Sequence, residues 1–336
     1  MQLREMWMVL LSLVFAAPAG AGAVDKDQAP PSKLHAAVYL VRGSVAGSST
    51  GRFGPHVRES DSTWRCLSRS TVITYGFGSF TSEAPRRFYV ACGNGVHRST
   101  DDGKTWRILT GWTTMEILDV LPHPANPSLL YVSTPWGIYR SKDEGASWTA
   151  ATEGFTCSFV RHLAFDQRTP EIIYATAEND AYVTTNGGDD WKPMGVGRGA
   201  VLSFLQHPRI PDRLLAGCED NGICFSTDGG TSWKPARCPS PASVYALAAS
   251  PDGENLYAAG WETGIWHSGD GGQSWDVLWT PAGIQAFFCL LVDPHDTRHL
   301  YAGTDGNGVY ESVDGGRGWT YAGLNGGKIK HLFFYP

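Results

Sequence analysis

The chain has 336 residues, of which 40 are Gly and 20 are Pro, while only 18% are charged. Its 13 Trp, 13 Tyr and 14 Phe supply enough aromatic mass for a sizeable core, which excludes a disordered chain, a collagen and a coiled coil. The formal net charge of −6 creates no field that would attract a polyanion, so no nucleic-acid partner is expected.

The N-terminal segment has the composition of a secretory signal. Residues 1–23 contain an early Arg4, an apolar run from Met6 to Ala17 and an end made of small residues up to Ala23. Because the run is too short to span a bilayer, we predict a signal peptide over 1–23 that is cleaved near Ala23. A linker over 24–35 then leads into a mature protein that is secreted or periplasmic and has no membrane span.

Seven cysteines follow the predicted signal. An oxidising compartment permits disulfides, but an odd number leaves at least one thiol free, and no C-x-x-C spacing suggests zinc. Cys224 and Cys238 flank one predicted hairpin and are the pair to test for a disulfide. We predict neither a metal nor a cofactor.

An eight-residue pattern, Ser-x-Asp-x-Gly-x-x-Trp, repeats along the rest of the chain. Good copies end at Trp106, Trp148, Trp233, Trp275 and Trp319, and weaker copies end at Trp64 and Trp191. Successive Trp residues stand 42 to 44 positions apart, so no unit is missing between the first and the last. A period of this length is typical of a propeller or a solenoid.

Each unit contains four short β-rich runs separated by turn residues, which is the pattern of one propeller blade. The last residues, from Lys330 to Pro336, match only the opening strand of a unit, and the stretch from Ala36 to Leu67 supplies the later strands. The sequence therefore predicts an all-β fold: a seven-bladed β-propeller over residues 36–336 with four-stranded antiparallel blades, closed by N- and C-terminal strands that share one blade.

The residues of the repeated pattern are suited to form a tight turn. We call this pattern the box. A carboxylate at the tip can accept hydrogen bonds from nearby backbone N–H groups, and Gly can adopt positive φ. We therefore predict a structural role for the box aspartates, which are Asp101, Asp143, Asp228, Asp270 and Asp314.

These boxes resemble the Asp-box, or BNR, repeats of sialidases, xyloglucan-specific glucanases, sortilin-type receptors and photosystem II assembly factors. The residue pattern of the units is most similar to that of the glucanase and sortilin group. The resemblance covers nearly all of residues 36 to 336 and implies the propeller fold. It implies a function only weakly, because the same scaffold carries hydrolases, receptors and assembly factors. The Arg-Ile-Pro element of sialidases has no good counterpart near the N-terminus.

In such blades the box hairpins lie on one face of the ring, and the loops between the second and third strands lie on the other, together with the connections between blades. We call the second face the loop face. Ligand-binding candidates there are Trp112, Trp136, Trp261, Trp279, Glu262 and Asp305, because aromatic rings beside carboxylates suit sugar stacking. The candidate catalytic carboxylates are Glu178, Asp180, Glu219 and Asp220.

A second set of candidates comes from aligning the opening strand of each unit on the Pro-containing turn that usually follows it, such as His123-Pro124 or His207-Pro208. Equivalent positions near the start of each innermost strand are expected to ring the mouth of the central channel, and they include Asp119, His162, Ser203, Cys289 and His331. Two His, an Asp and a Cys could bind a metal or exchange protons, or could simply bond channel water.

The leading functional hypothesis is an exported binding module, expected to be a monomer, that presents its loop face to a glycan or a protein partner. One alternative is a carbohydrate-active enzyme with paired loop-face carboxylates, which would need two such groups roughly 5 to 10 Å apart. A second alternative is an assembly factor for a membrane complex.

Overall fold

The computed structural model describes residues 33–41, 54–67, 73–80, 85–111 and 115–335, with side chains in the first range described up to Val38. The predicted signal peptide, the linker up to residue 32, and Trp112 lie outside the described residues.

The described residues form seven antiparallel sheets of four strands each, which we call blades I to VII. Blade I contains β4 (Thr74–Phe80), β5 (Arg87–Cys92), β6 (Gly95–Ser99) and β7 (Arg107–Ile108). Blade II contains β8 (Asp119–Pro122), β9 (Leu130–Thr134), β10 (Gly137–Ser141) and β11 (Thr149–Ala150). Blade III contains β12 (Val160–Phe165), β13 (Ile173–Ala177), β14 (Ala181–Thr184) and β15 (Lys192–Pro193).

The second half of the ring repeats this order. Blade IV contains β16 (Val201–Gln206), β17 (Leu214–Cys218), β18 (Ile223–Ser226) and β19 (Lys234–Pro235). Blade V contains β20 (Val244–Ala249), β21 (Leu256–Gly260), β22 (Ile265–Ser268) and β23 (Asp276–Trp279). Blade VI contains β24 (Phe287–Val292), β25 (Leu300–Thr304), β26 (Val309–Ser312) and β27 (Thr320–Gly323). Blade VII contains β28 (Gly327–Tyr335), β1 (Lys33–Val41), β2 (Gly54–Arg58) and β3 (Trp64–Cys66).

The two chain ends meet in blade VII, as the sequence predicts. Strand β28 from the C-terminus is innermost, and β1 pairs with it antiparallel, with Ala36 opposite Leu332. Strand β1 begins at Lys33, whereas the sequence places the start of the propeller at residue 36. Because this pairing covers what would be a free sheet edge, the ring is closed by backbone hydrogen bonds.

The core lies between neighbouring blades, and the box Trp residues help to join them. One buried cluster combines Ala246 and Tyr257 of blade V with Phe287 and Leu300 of blade VI. Several indole N–H groups also donate to carbonyls of the preceding blade: Trp64 to Ala322 at 2.7 Å, Trp106 to Leu67 at 3.3 Å, Trp148 to Leu109 at 3.3 Å and Trp191 to Ala151 at 2.9 Å. Each repeat therefore stabilises the contact with its neighbour.

The box hairpin is held by its own side chains. In blade I the Ser99 hydroxyl donates to Asp101 and accepts from the Gly103 N–H, while Asp101 also accepts the Thr105 N–H at 2.9 Å. Donation by Thr105, first through its hydroxyl and then through its backbone, lowers the pKa of Asp101 to about 2. The same Ser-to-Asp hydrogen bond occurs at Asp143, Asp228, Asp270 and Asp314.

Within the described ranges no helix is long and apolar enough to cross a membrane.

Candidate binding site at the loop face

A β-bulge near the start of the innermost strand decides which side chains reach the propeller axis. In β12, Val160 pairs with Ala177 and His162 pairs with Thr176, so Arg161 is the extra residue between them. The register shifts at the equivalent place in β4, β16, β20, β24 and β28. The extra residues are Tyr75, Arg161, Leu202, Tyr245, Phe288 and Lys330, and Leu118 precedes β8 at the equivalent position in blade II.

Four of these bulge residues, from blades III, V, VI and VII, meet near the axis. Arg161 of blade III interacts electrostatically with Lys330 of blade VII and with Tyr245 of blade V, although neither blade is its neighbour. The ring of Tyr245 lies 5.8 Å from that of Phe288, and the Lys330 ammonium lies 3.6 Å from the Phe288 ring centroid. The channel mouth is therefore lined by cations and aromatic rings.

Three cations are buried at this mouth in a protein whose net charge is negative. Arg161, Lys328 and Lys330 are 9%, 4% and 2% exposed. Burial lowers the pKa of Lys330 to about 7, against the attraction of Asp305. Buried charges are costly unless they are compensated, so three of them on two inner strands mark a place where negative charge is favoured.

Carboxylates from the surrounding loops partly balance these cations. Lys328 Nζ lies 2.5 Å from Asp305 Oδ1, and Arg161 Nη2 lies 4.0 Å from Glu178 Oε1. Glu219 is exposed and interacts electrostatically with both Arg161 and Tyr245. The candidates Asp305, Glu178 and Glu219 thus lie at the rim of the mouth.

The other two catalytic candidates are occupied by hydrogen bonds. Asp180 is buried, and its carboxylate accepts the N–H groups of Ala181, Gly195 and Val196 at 2.8 to 2.9 Å. Asp220 accepts the hydroxyl of Ser243 at 2.7 Å. Both side chains therefore fix loops, but only Asp180 shares both carboxylate oxygens in this way, which leaves it poorly suited to act as a nucleophile or a base.

The predicted channel-mouth residues do not line the mouth but join adjacent blades at the bulges. Ser203 Oγ donates to the Val244 carbonyl at 3.0 Å, and Cys289 Sγ lies 3.6 Å from the Ile329 carbonyl oxygen. His331 Nδ1 accepts the Phe77 N–H at 3.1 Å. At each bulge the residue that faces the axis is the one before the predicted residue. The sequence alignment therefore places the axial side chain one residue too far along the strand.

Asp119 and His162 are joined in the same way. Asp119 Oδ2 accepts the Leu163 N–H at 3.1 Å and lies 3.5 Å from His162 Nδ1. Burial lowers the pKa of His162, and it lowers that of His331 to about 4, so these imidazoles are poor proton donors at neutral pH. No group of three or more His, Cys, Asp or Glu placed to hold a metal occurs among the described side chains.

The described tryptophan candidates divide into two kinds. Trp136 and Trp261 stand in loops between second and third strands and are 59% and 38% exposed. Trp279 stacks on Trp319 with ring centroids 5.4 Å apart and also contacts Phe287, so its ring is used in packing. Glu262 follows Trp261 and is exposed.

Sequence reasoning missed the buried cations and Tyr245. The available signal was a charged residue inside an apolar opening strand, as in Arg161 within Val160–Phe165, and two lysines in the terminal strand. Charged side chains are rarely buried unless they are paired or functional.

Comparison with known proteins agrees with the architecture. Residues 94–197, less than a third of the chain, match the family model described as Sortilin-Vps10 (sortilin, neurotensin receptor 3). No curated protein sequence matches the chain. Together with the structural neighbours, this match supports a sortilin-like propeller.

Three solved structures illustrate the likeness. A GH74 xyloglucanase from Xanthomonas campestris has 17% identity and a TM-score of 0.60 over 74% of this chain and 45% of that chain. An ancestral GH74 enzyme has 19% identity and a TM-score of 0.59, covering 82% and 40%. YCF48 bound to a D1 peptide has 18% identity and a TM-score of 0.59, covering 78% and 87%. The chain thus spans less than half the length of the GH74 enzymes and most of the length of YCF48.

Proposed function

We propose that this protein is an exported binding propeller that captures a glycan or protein partner at its loop face. The mouth of the channel holds an acidic group of the partner, and Trp136 and Trp261 contact it further out. The observation that carries this proposal is the convergence of Arg161 and Lys330 across the axis, beside the ring of Phe288.

The arrangement suits binding for two physical reasons. A desolvated cation attracts an anion more strongly than an exposed one, because the surrounding dielectric is low. Flat rings next to it offer apolar area to a sugar or to a side chain. Anion attraction and apolar contact with the partner are separated in space, since the cations lie at the centre and the exposed indoles lie in peripheral loops.

A glycoside hydrolase is the second candidate, favoured by the likeness to the GH74 enzymes. The carboxylates left for it are Glu178, Glu219 and Asp220, since both oxygens of Asp180 are hydrogen-bonded into loops. An assembly factor is the third candidate. The YCF48 structure contains a bound D1 peptide, and that propeller has nearly the span of this one, which favours a protein partner.

One experiment tests the leading proposal and separates it from the enzyme. Purified protein is screened against panels of acidic and neutral glycans and acidic and neutral peptides, with both binding and release of reducing sugar measured. We expect binding of acidic ligands without turnover, and we expect a loss of at least about tenfold in affinity in Arg161→Gln, about 1.4 kcal/mol.

The matched control is Arg168→Gln, which removes the same charge from the turn after β12 at the opposite face, where Arg168 pairs with Asp212. An equal loss in both variants would mean that only net charge matters. Turnover that disappears in Glu178→Gln or Glu219→Gln would establish the enzyme instead.

A further inference from the structure

Five Asn–Gly pairs occur in the sequence, at Asn94, Asn186, Asn221, Asn307 and Asn325, and the structure describes all of them. Asparagine is thermolabile because the backbone nitrogen of the next residue can attack its side-chain amide. A following glycine favours this attack, since it has no side chain to shield that nitrogen. The fold decides which pair reacts, because hydrogen bonds to the amide or to the glycine N–H oppose the attack.

Four of the pairs are held by hydrogen bonds. Three of the glycine N–H groups donate to carbonyls elsewhere in the fold: Gly187 to Glu171 at 3.0 Å, Gly222 to Ala242 at 3.0 Å and Gly308 to Gly327 at 3.2 Å. Two of the side-chain amides are tied as well, Asn186 by the Thr184 hydroxyl and Asn221 by the Glu219 carbonyl. In the fourth pair Asn94 Oδ1 lies 2.9 Å from His97 Nε2, and Gly95 pairs with Cys92 in the ladder between β5 and β6. These asparagines therefore react only after local opening.

The fifth pair lies in the short connection from β27 to β28. Asn325 is exposed, and neither its side-chain amide nor the Gly326 N–H is hydrogen-bonded to a described residue. Gly326 has a φ of 76°, which a residue with a side chain rarely adopts. Glycine is therefore required at this position by the turn, and the turn leaves its nitrogen accessible to the neighbouring amide.

We propose that Asn325 is a deamidation site at which the folded protein acquires a negative charge. The Gly326 nitrogen gives up its proton to the solvent and attacks Asn325 Cγ. The Cγ–Nδ2 bond breaks, ammonia leaves, and a five-membered succinimide ring remains. Water then opens the ring at one of its two C–N bonds, which yields either aspartate or isoaspartate. Water is the only co-reactant, and nothing is oxidised or reduced.

The product would alter the edge of the channel mouth. The next residue is Gly327, whose carbonyl accepts the N–H groups of Gly306 and Gly308 at 3.2 Å, and Lys328 then pairs with Asp305. A carboxylate at position 325 stands three residues before Lys328, and isoaspartate also adds a carbon to the backbone of the turn. Both products should weaken the attraction of the mouth for an acidic group. This consequence rests on the proposed function, whereas the deamidation itself depends on no ligand.

Ageing of the folded protein in mildly alkaline buffer, followed by tryptic mapping, tests the proposal. Cleavage after Arg317 and Lys328 isolates peptide 318–328, in which Asn325 is the only Asn, and the other four pairs fall on four other peptides. We expect peptide 318–328 to change from the amide mass to the acid mass at least about tenfold faster than the other four, because these must first open locally. In protein unfolded by guanidinium chloride the five rates should be similar, since each Asn then precedes an unrestrained Gly.

Two variants make the assignment specific. Asn325→Gln should leave peptide 318–328 unchanged, because a glutamine would have to form a larger ring. The matched control is Asn307→Gln, which removes the pair of the adjacent loop and should leave the rate at Asn325 as in wild type. A rate at Asn325 in folded protein no faster than that at Asn307 would overturn the proposal. So would a rate at Asn325 that rises on unfolding as much as the other four.

The effect on the mouth has its own readout. Asn325→Asp supplies the aspartate product directly and should bind the acidic ligand found in the screen several-fold more weakly than Asn325→Gln. Equal affinities of the two variants would contradict the effect on binding. Because the peptide map needs no ligand, failure of the proposed binding function and failure of the deamidation site give different results.

Discussion

Arg58 in β2 and Glu311 in β26 form a two-point ion pair between blades VII and VI, with nitrogen-to-oxygen distances of 3.1 and 2.5 Å. Both side chains are largely buried, at 13% and 17% exposure, and His299 binds the same carboxylate. The pair lies beside the seam where the two chain ends meet. It therefore joins the closing blade to its neighbour through groups that lie far apart in the sequence.

Removal of this pair should weaken the closed ring. We expect Arg58→Met to lower the free energy of unfolding by about 2 to 3 kcal/mol, because a partly buried carboxylate loses its main partner. Urea denaturation measures the loss. The control is Arg65→Met in the same blade, whose pair with Glu59 is about half exposed and is worth less than about 1 kcal/mol. Equal effects of the two changes would contradict a special role for the seam.

The Arg58 contact should also depend on pH. Burial works to raise the pKa of Glu311, but Arg58 and His299 together hold it below its ordinary value of 4.5. A carboxyl group whose folded pKa is depressed stabilises the fold above its unfolded value, and this stability is lost as the pH falls through the folded pKa. The difference between wild type and Glu311→Gln should accordingly shrink as the pH falls below 4.5. A difference that stays constant with acidification would refute the assignment.

The boxes should produce a further acid transition. Hydrogen bonds from Ser147 lower the pKa of Asp143 from 3.8 to about 2. The stabilisation is therefore complete above 3.8 and should disappear as the pH falls towards 2, when Asp143→Asn approaches wild type in urea. Asn186, the box residue of blade III, has no carboxyl group, so the cost of Asn186→Ala should change little over this range. A parallel change in both variants would exclude the carboxylate as its cause.

Lys330 should lower the stability of the fold and strengthen the binding of acidic ligands. Its folded pKa of about 7 is below the ordinary 10.5, because of burial, and it faces Asp305, Lys328, Cys289 and Arg161. Between these values the unfolded chain holds a proton that the folded chain releases, so wild-type stability should rise with pH. Lys330→Met should remove that rise, stabilise the protein at neutral pH by about 1 to 3 kcal/mol and weaken the binding of acidic ligands.

The control for this change is Lys192→Met on the exposed outer strand β15. It should leave both the pH profile and ligand affinity near those of wild type. Calorimetry at several pH values measures the stability, and titration with the acidic ligand found in the screen measures the affinity. A stabilised Lys330→Met variant that binds as tightly as wild type would remove Lys330 from the binding site.

The two kinds of tryptophan should respond differently to truncation. Trp279→Ala removes a ring stacked between blades V and VI and should cost about 3 kcal/mol or more in unfolding free energy. Trp136→Ala removes a ring that is 59% exposed and should change stability by less than about 0.5 kcal/mol while weakening partner binding. Thermal unfolding and binding titrations distinguish the outcomes, and a large stability loss in Trp136→Ala would show that it too is a packing residue.

The sequence by itself determines the number of blades, their four strands and the shared closing blade. Each box and its Trp form a local hairpin whose chemistry lies within eight residues, and that unit recurs at an even spacing, so the repeat could be counted before any contact was known. The loop positions of the exposed Trp136 and Trp261 can also be predicted from the sequence, because these loops are part of the repeat.

Only the tertiary structure decides which side chains meet at the axis. A bulge is a relation between two strands, and a shift of one residue exchanges Arg161 for His162 at the channel mouth. The same holds for Asp180, whose carboxylate is occupied by N–H groups about fifteen residues away along the chain. Arg161 and Lys330 lie on blades that are not neighbours, so their meeting depends on ring closure, which no local pattern encodes.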